Sequence, residues 1–230
     1  ELRRDGRVAG ALYLVVVLAG LFCLAYVPSQ LGEGIAGAFA QPGLFRAGIA
    51  AFLLMQVAFL LLPFALCRVL GDVDRHAAIL MVALAAISVP IGLVAVTHRM
   101  EALSLLENAG NGATEAMQVA FALCLQRYGH GLRIASLFWG LWLLPFGWLV
   151  LRSARLPRAL GWLLLLGGFG YVVQVFGGLV PGFAEFPFGG FAVFGVDALH
   201  PLLMALVGGI RRQPVNQQIF RRAAVAEAGA

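Results

Sequence analysis

The sequence predicts an all-α polytopic membrane protein. It has six transmembrane helices with both termini on the cytoplasmic side, and one interfacial or re-entrant helix between the third and fourth spans. Three observations predict it. The 230 residues are 61% hydrophobic and only 12% charged, with a mean hydropathy of +0.92. Soluble domains carry about 25% charged residues, so one water-soluble core cannot hide this much apolar surface. The apolar residues fall in runs of about 20, the length that crosses a hydrocarbon core of about 30 Å at 1.5 Å per residue. The arginines gather at alternate ends of those runs, which orients the bundle.

The elements follow in order. Residues 1–7 are short and basic, and 8–28 form the first span. A basic start before an apolar run is also the pattern of a signal peptide. This run is longer than a signal core, however, and Tyr26-Val27-Pro28-Ser29 offers no small-x-small cleavage site, so it is read as an uncleaved span. Residues 29–43, with Glu33 as their charge, make a short loop. The second span is 44–70, with Arg46 at its start and Gln56 inside. Gly71 to Arg75 is a tight polar turn, and 76–97 is the third span, with Ser88 and Pro90 in its middle. A proline there kinks a span without ending it, because neighbouring helices satisfy the freed backbone groups.

Residues 98–130 are the longest excursion. Residues 108–112 read as a turn, and 114–126 as a mostly apolar helix capped by Thr114. That helix is too short to span and is therefore interfacial or re-entrant. Gly129-His130-Gly131 breaks the chain before the fourth span, 131–151. A basic turn, 152–158, ends with Pro157 placed to open the fifth span, 157–180. That span carries Gly161, Gly167, Gly168, Gly170, Gly177 and Gly178, and glycines let helix backbones approach closely in lipid. After a loop with Glu185 comes the sixth span, 188–210. Residues 1–212 thus form a single transmembrane domain, and 213–230 a cytoplasmic tail.

With both termini inside, Arg3, 4, 7, 68, 75, 152, 155, 158, 211, 212, 221 and 222 lie on the cytoplasmic side, and only Arg46, 99, 127 and 133 outside: twelve of the 16 basic residues against four. All 16 are arginine. Without lysine there is no Schiff base, no Walker-type phosphate lysine and no lysine nucleophile. The arginines cap apolar runs instead of lining one face, so the net charge of +5 does not mark a nucleic-acid partner. Cys23, Cys67 and Cys124 show no metal-type spacing and read as small packing residues. No cofactor or metal is expected. No internal repeat is evident, which weakens an alternating-access transporter reading.

The stretch "LFWGLWLLPFGWLVLRSARLPRALGWLLLLGGFGYVVQVFGGLVPG", within residues 132–182, carries a recognisable pattern of an RS-x-x-LPR-x-LG turn followed by a Gly-rich span. With "RVAGALYLVVVLAG" at 7–20 and "LFRAGI" at 44–49, it resembles the bacterial membrane family known as domain of unknown function 4386. The resemblance covers nearly all of the chain and implies a multi-pass protein of the bacterial inner membrane. It implies no activity. Asp197 falls where that family tends to carry an acid in its last span.

The candidate site comes from depth. Counted from the outer span ends at about 1.5 Å per residue, Asp197, Tyr171 and Ser88 lie about 13 Å deep, His200 and Gln56 about 18 Å, and Gln174 one turn above Tyr171. These six residues are candidates for one buried polar cluster, binding a ligand or relaying protons. An ionised Asp at mid-membrane costs roughly 3 kcal/mol, so Asp197 needs protonation, His200, or hydrogen bonds from Tyr171 and Ser88. Arg46 and Arg133 stop only about 3 Å below the outer surface, which disfavours a direct Arg133–Asp197 pair. Arg46, His98, His130 and Arg133 are candidates for an outer vestibule, with Arg99 and Arg127 nearby. The bland alternatives are a hydrogen-bonded pair that fixes helix packing, and ordinary interfacial residues at span ends.

Three functions fit this pattern. The first is a non-catalytic protein whose polar pocket takes a small molecule or lipid. The second is an accessory subunit of a larger membrane complex. The third is a membrane-embedded metal-dependent hydrolase, which needs a metal or nucleophile at Asp197 and His200.

Overall fold

The computed structural model describes residues 2–32, 34–109, 114–153, 155–177 and 179. Every regular element among them is helical. Helix α1 (Leu2–Gly20) runs through a π-helical segment (Leu21–Tyr26) into α2 (Val27–Leu31). Then come α3 (Ile35–Ala40), α4 (Pro42–Leu70), α5 (Arg75–Asn108), α6 (Glu115–Leu141), α7 (Leu143–Arg152) and α8 (Arg158–Gly177). Five helical stretches are long and apolar enough to cross a membrane: Arg4–Leu31, Pro42–Leu70, Arg75–Asn108, Glu115–Arg152 and Arg158–Gly177. The expected sixth span, 188–210, and the tail lie outside the described residues.

Prolines and caps set the boundaries. Pro28 has no N–H for the Leu24 carbonyl, and the turn before it widens so that the Val27 N–H reaches back to the Phe22 carbonyl. Gly32 (φ +62°) and Gly34 (φ +95°) turn the chain between α2 and α3 in a region other residues rarely adopt. Pro42 opens α4, the Asp74 side chain caps α5 by accepting from the Ala77 N–H at 3.1 Å, and Thr114 caps α6.

The structure corrects two boundaries. The interfacial or re-entrant helix expected at 114–126 is not a separate element, because α6 runs unbroken from Glu115 to Leu141 through Gly129-His130-Gly131. A glycine inside a helix costs only about 1 kcal/mol. Gly131 also has a packing role: a Cβ there would meet the Ala95 Cβ at 2.7 Å, so it marks close contact with α5. The break comes at Trp142, because the Pro145 ring collides with the carbonyl four residues earlier, at Leu141. The third span likewise continues past Thr97 to Asn108. At 1.5 Å per residue its 34 residues extend about 51 Å, roughly 20 Å more than a hydrocarbon core. The overhang carries His98, Arg99, Glu101 and Glu107.

Each long helix packs on its neighbours in sequence: α1 on α4, α4 on α5, α5 on α6 and α7, and α8 on α6 and α7. Two apolar cores result. One, near the 71–74 turn, joins Leu62, Leu66, Met81, Phe146, Leu149 and Leu160. The other, at the opposite end, joins the π-helical segment and α2–α3 to the start of α4, the end of α5 and the start of α6, through Cys23, Leu31, Phe45, Phe52, Leu106 and Phe121. Leu54, Val57, Leu61, Ile79, Val94 and Phe169 face outward, at least half exposed. So much outward apolar surface is the pattern expected where the surrounding solvent is lipid.

The end at the 71–74 turn is tied by a charged latch. Arg155 donates to both carboxylate oxygens of Asp72, one at 2.7 Å, and to the Val69 carbonyl. Arg152 stacks over Trp148, whose indole N–H faces Asp74. The Arg155 guanidinium holds the Asp72 carboxyl below its ordinary range. A carboxyl whose folded value is depressed contributes stability above its unfolded value of about 3.9, and that stability is lost as pH falls through the folded value. Wild-type chain in nanodiscs is therefore expected to lose stability as pH drops below about 4, and Asp72→Asn to remove that component. Thermal unfolding across pH 3–7 checks it; identical profiles would refute the latch.

Candidate functional site

Helix α5 organises the site. Its buried residues Ala85, Ser88, Gly92, Ala95, Arg99, Ala102 and Leu106 recur at steps of three and four, so they form one inward stripe. Most are small, which lets α4 and α6 approach. Arg99 stands in the same register and is therefore carried into the packed interior, only 4% exposed.

Its guanidinium is held between two rings, 4.9 Å from the Phe45 centroid and 5.2 Å from that of Tyr128. Gly48 completes the seat: a Cβ there would meet Val27 at 3.0 Å and Arg99 Nη2 at 3.5 Å. Around this group lies a cavity of about 280 Å³, walled by Cys23, Leu31, Phe45, Phe121, Leu125 and Tyr128 and by Arg99 itself. The widened π-helical turn supplies Cys23 and Leu24 to the wall. Two polar atoms here have no hydrogen-bond partner among the described residues, Arg99 Nε and the Tyr128 hydroxyl. No ion pair with Arg99 is found among those residues either.

Four of the six residues expected to cluster are described: Gln56, Ser88, Tyr171 and Gln174. Gln56 on α4 and Ser88 on α5 are both fully buried. Gln56 Nε2 donates to the Val89 carbonyl at 3.2 Å, while the Ser88 hydroxyl turns back to the Ala85 carbonyl at 2.7 Å. Tyr171 is half-buried on α8 against Gly140, and Gln174 is exposed. Among the described residues no hydrogen bond joins either of them to Gln56 or Ser88. Asp197 and His200 lie outside the described residues.

The vestibule residues do not line the cavity. Arg46 is exposed and paired with Glu107 at 2.9 Å, His98 pairs with Glu101 at 3.0 Å, and His130 and Arg133 are exposed. The neighbour of His98, Arg99, is the residue that turns inward. Its signal in the sequence was its place in the stripe of small residues. Among the described residues no three His, Cys, Asp or Glu side chains converge.

The architecture is thus an all-helical one of membrane-length apolar helices, with an aromatic-walled cavity at one end built around a buried arginine. The sequence model of the family described as Domain of unknown function (DUF4386) matches residues 8–208, so the chain belongs to that family, as the Leu-Pro-Arg turn and Gly-rich span indicated. No curated protein and no solved structure matches the chain.

Proposed function

We propose that the chain is a six-span protein of the bacterial inner membrane, both termini cytoplasmic, that holds a lipophilic small molecule or lipid without catalysing a reaction. The arginine distribution supports this orientation, in which the Arg99 cavity would open towards the outer side. One observation carries the binding role: a cavity of about 280 Å³ with mainly apolar and aromatic walls and a few convergent polar groups. That combination is characteristic of small-molecule sites. Asp197 and His200 of the expected cluster lie outside the described residues, and Gln56 lies on the same helix as Phe45.

Native mass spectrometry of the full chain released from nanodiscs tests the reading. The expected result is one retained amphiphile per chain, and its loss in Leu125→Trp, where the indole fills the cavity. A chain that emerges empty, with added amphiphiles not retained, would overturn it. Emergence empty but tightly associated with other chains would favour the accessory-subunit reading.

A further inference from the structure

We infer that the occupant of this cavity is an anionic single-chain amphiphile, its acid head seated on Arg99 and Tyr128 and its hydrocarbon chain against Leu31, Phe45, Phe121 and Leu125. The inference rests on the binding role above and narrows it to a ligand class.

The head group follows from what Arg99 lacks among the described residues. A guanidinium offers five N–H donors in one plane. Here the rings of Phe45 and Tyr128 lie against it at 4.9 and 5.2 Å, which accounts for its faces but not for its in-plane donors. Nε has no acceptor among the described residues, and the Tyr128 hydroxyl, which lies beside the Arg99 guanidinium, has no partner there in hydrogen-bonding geometry. No Asp or Glu is among the described residues that line the cavity. Among the described residues, a neutral lipophile would leave a 96%-buried charge (4% exposed) without a counter-charge, a costly arrangement in a largely apolar setting. A carboxylate or phosphate supplies acceptor oxygens in the geometry a guanidinium matches, and a phenol adds one more donor.

The tail follows from the walls and the volume. Apart from Arg99 and Tyr128, the named wall residues are aliphatic, aromatic or thiol. About 280 Å³ is just below the usual range of about 300–1,000 Å³ for ligand pockets, which suits one chain and not a whole two-chain lipid. The acid has two possible sources: a free single-chain acid, or an anionic bilayer lipid that inserts one of its chains.

The test uses the full chain in phosphatidylcholine nanodiscs with two probes of equal chain length, dodecanoate and dodecanol, each expressed per disc lipid and read by thermal shift. Dodecanoate is expected to bind at least tenfold more tightly than dodecanol, as a charge-assisted hydrogen bond implies. Arg99→Gln is expected to bring that ratio close to one, and Tyr128→Phe to reduce it several-fold. If Arg99→Gln does not fold, the wild-type ratio and Tyr128→Phe decide. Discs of phosphatidylglycerol separate the sources: loss of the dodecanoate effect there assigns the head to the bilayer lipid, and its persistence to a free acid.

Equal binding of acid and alcohol overturns the inference while leaving the lipophile-binding role intact. Binding of neither probe sinks that role itself. Glu33→Gln is the internal control, since Glu33 stands between Gly32 and Gly34 in the sequence. If only that variant discriminates acid from alcohol, Arg99 is neutralised within the chain, and the inference is again overturned.

Discussion

Replacing Gly147 by alanine is expected to destabilise the chain by about 1–3 kcal/mol, the usual cost of forcing a methyl into a filled contact. The same holds for Gly161→Ala, and the double variant is expected to cost little more than either alone. The reason is geometric. A Cβ on Gly147 would stand 2.8 Å from the Gly161 carbonyl oxygen, and one on Gly161 would stand 2.9 Å from the Gly147 carbonyl oxygen. Seven residues away the arrangement repeats: Cβ atoms on Gly140 and Gly168 would each stand 2.8 Å from the carbonyl oxygen of the other. These obstacles are backbone atoms, which cannot swing aside as a side-chain tip can. The helices must separate, and once separated they accommodate the second methyl at little further cost, which is the signature of strong coupling in a double-mutant cycle. In lipid no hydrophobic force pulls helices together, so close packing of this kind carries a large share of their association. Gly129→Ala supplies the contrast. Nothing lies within 4 Å of a Cβ there, and alanine is the better helix former, so that variant is expected to be neutral or slightly stabilising. Unfolding of the four variants by sodium dodecyl sulfate in mixed micelles checks the set, and additive losses for Gly147→Ala and Gly161→Ala would refute the close contact.

These glycines also show how much of the molecule was legible in its sequence. Composition and run length gave the all-helical class, and the Gly-rich fifth span gave its close contact, because both depend on local chemistry. The end of α5 was misplaced for the same reason. His98, Arg99 and Glu101 close an apolar window, yet the helix continues because Ala102 and Leu106 keep packing against the start of α6. Gly129-His130-Gly131 resembles a break only until its neighbour is known: Ala95 lies against Gly131 and holds the helix through it. Depth counting placed Gln56 and Ser88 at nearby levels; both are fully buried, and Gln56 bonds the carbonyl of Val89, the residue after Ser88. Depth says nothing of direction around a helix axis. His98 and Arg99 share a level but differ by about 100° in direction, so one pairs with Glu101 at the surface and the other is buried between two rings. That angle was recoverable from the small-residue stripe. The partners Phe45 and Tyr128, distant in sequence, were not.

The contact beneath the cavity yields the second large effect. Gly92→Ala is expected to cost at least 2 kcal/mol, toward the upper part of the roughly 1–3 kcal/mol range for overpacking. A Cβ on Gly92 would stand 2.2 Å from Gln56 Nε2 and 3.0 Å from its amide carbon. The amide ends a flexible side chain, so the cost turns on what holds it in place. It is fully buried, and its hydrogen bond to the Val89 carbonyl fixes it against α5. Its other end gains nothing in return, because Oε1 has no partner among the described residues. Removing a buried donor together with an unsatisfied acceptor is often nearly neutral, since the Val89 carbonyl remains within its helix. Gln56→Ala is therefore expected to recover most of the Gly92→Ala loss, as it clears the space the methyl needs. Gln56→Leu alone is expected to change stability by less than about 1 kcal/mol, as a near-isosteric exchange. Thermal unfolding of Gly92→Ala, Gln56→Ala and the double variant decides the matter. If the double variant is as unstable as Gly92→Ala, the methyl collides with backbone and Gln56 is not the obstacle. If Gln56→Leu is as stable as wild type but no longer retains the occupant of the cavity, Gln56 serves binding, and its position about two helical turns below the arginine is part of the site.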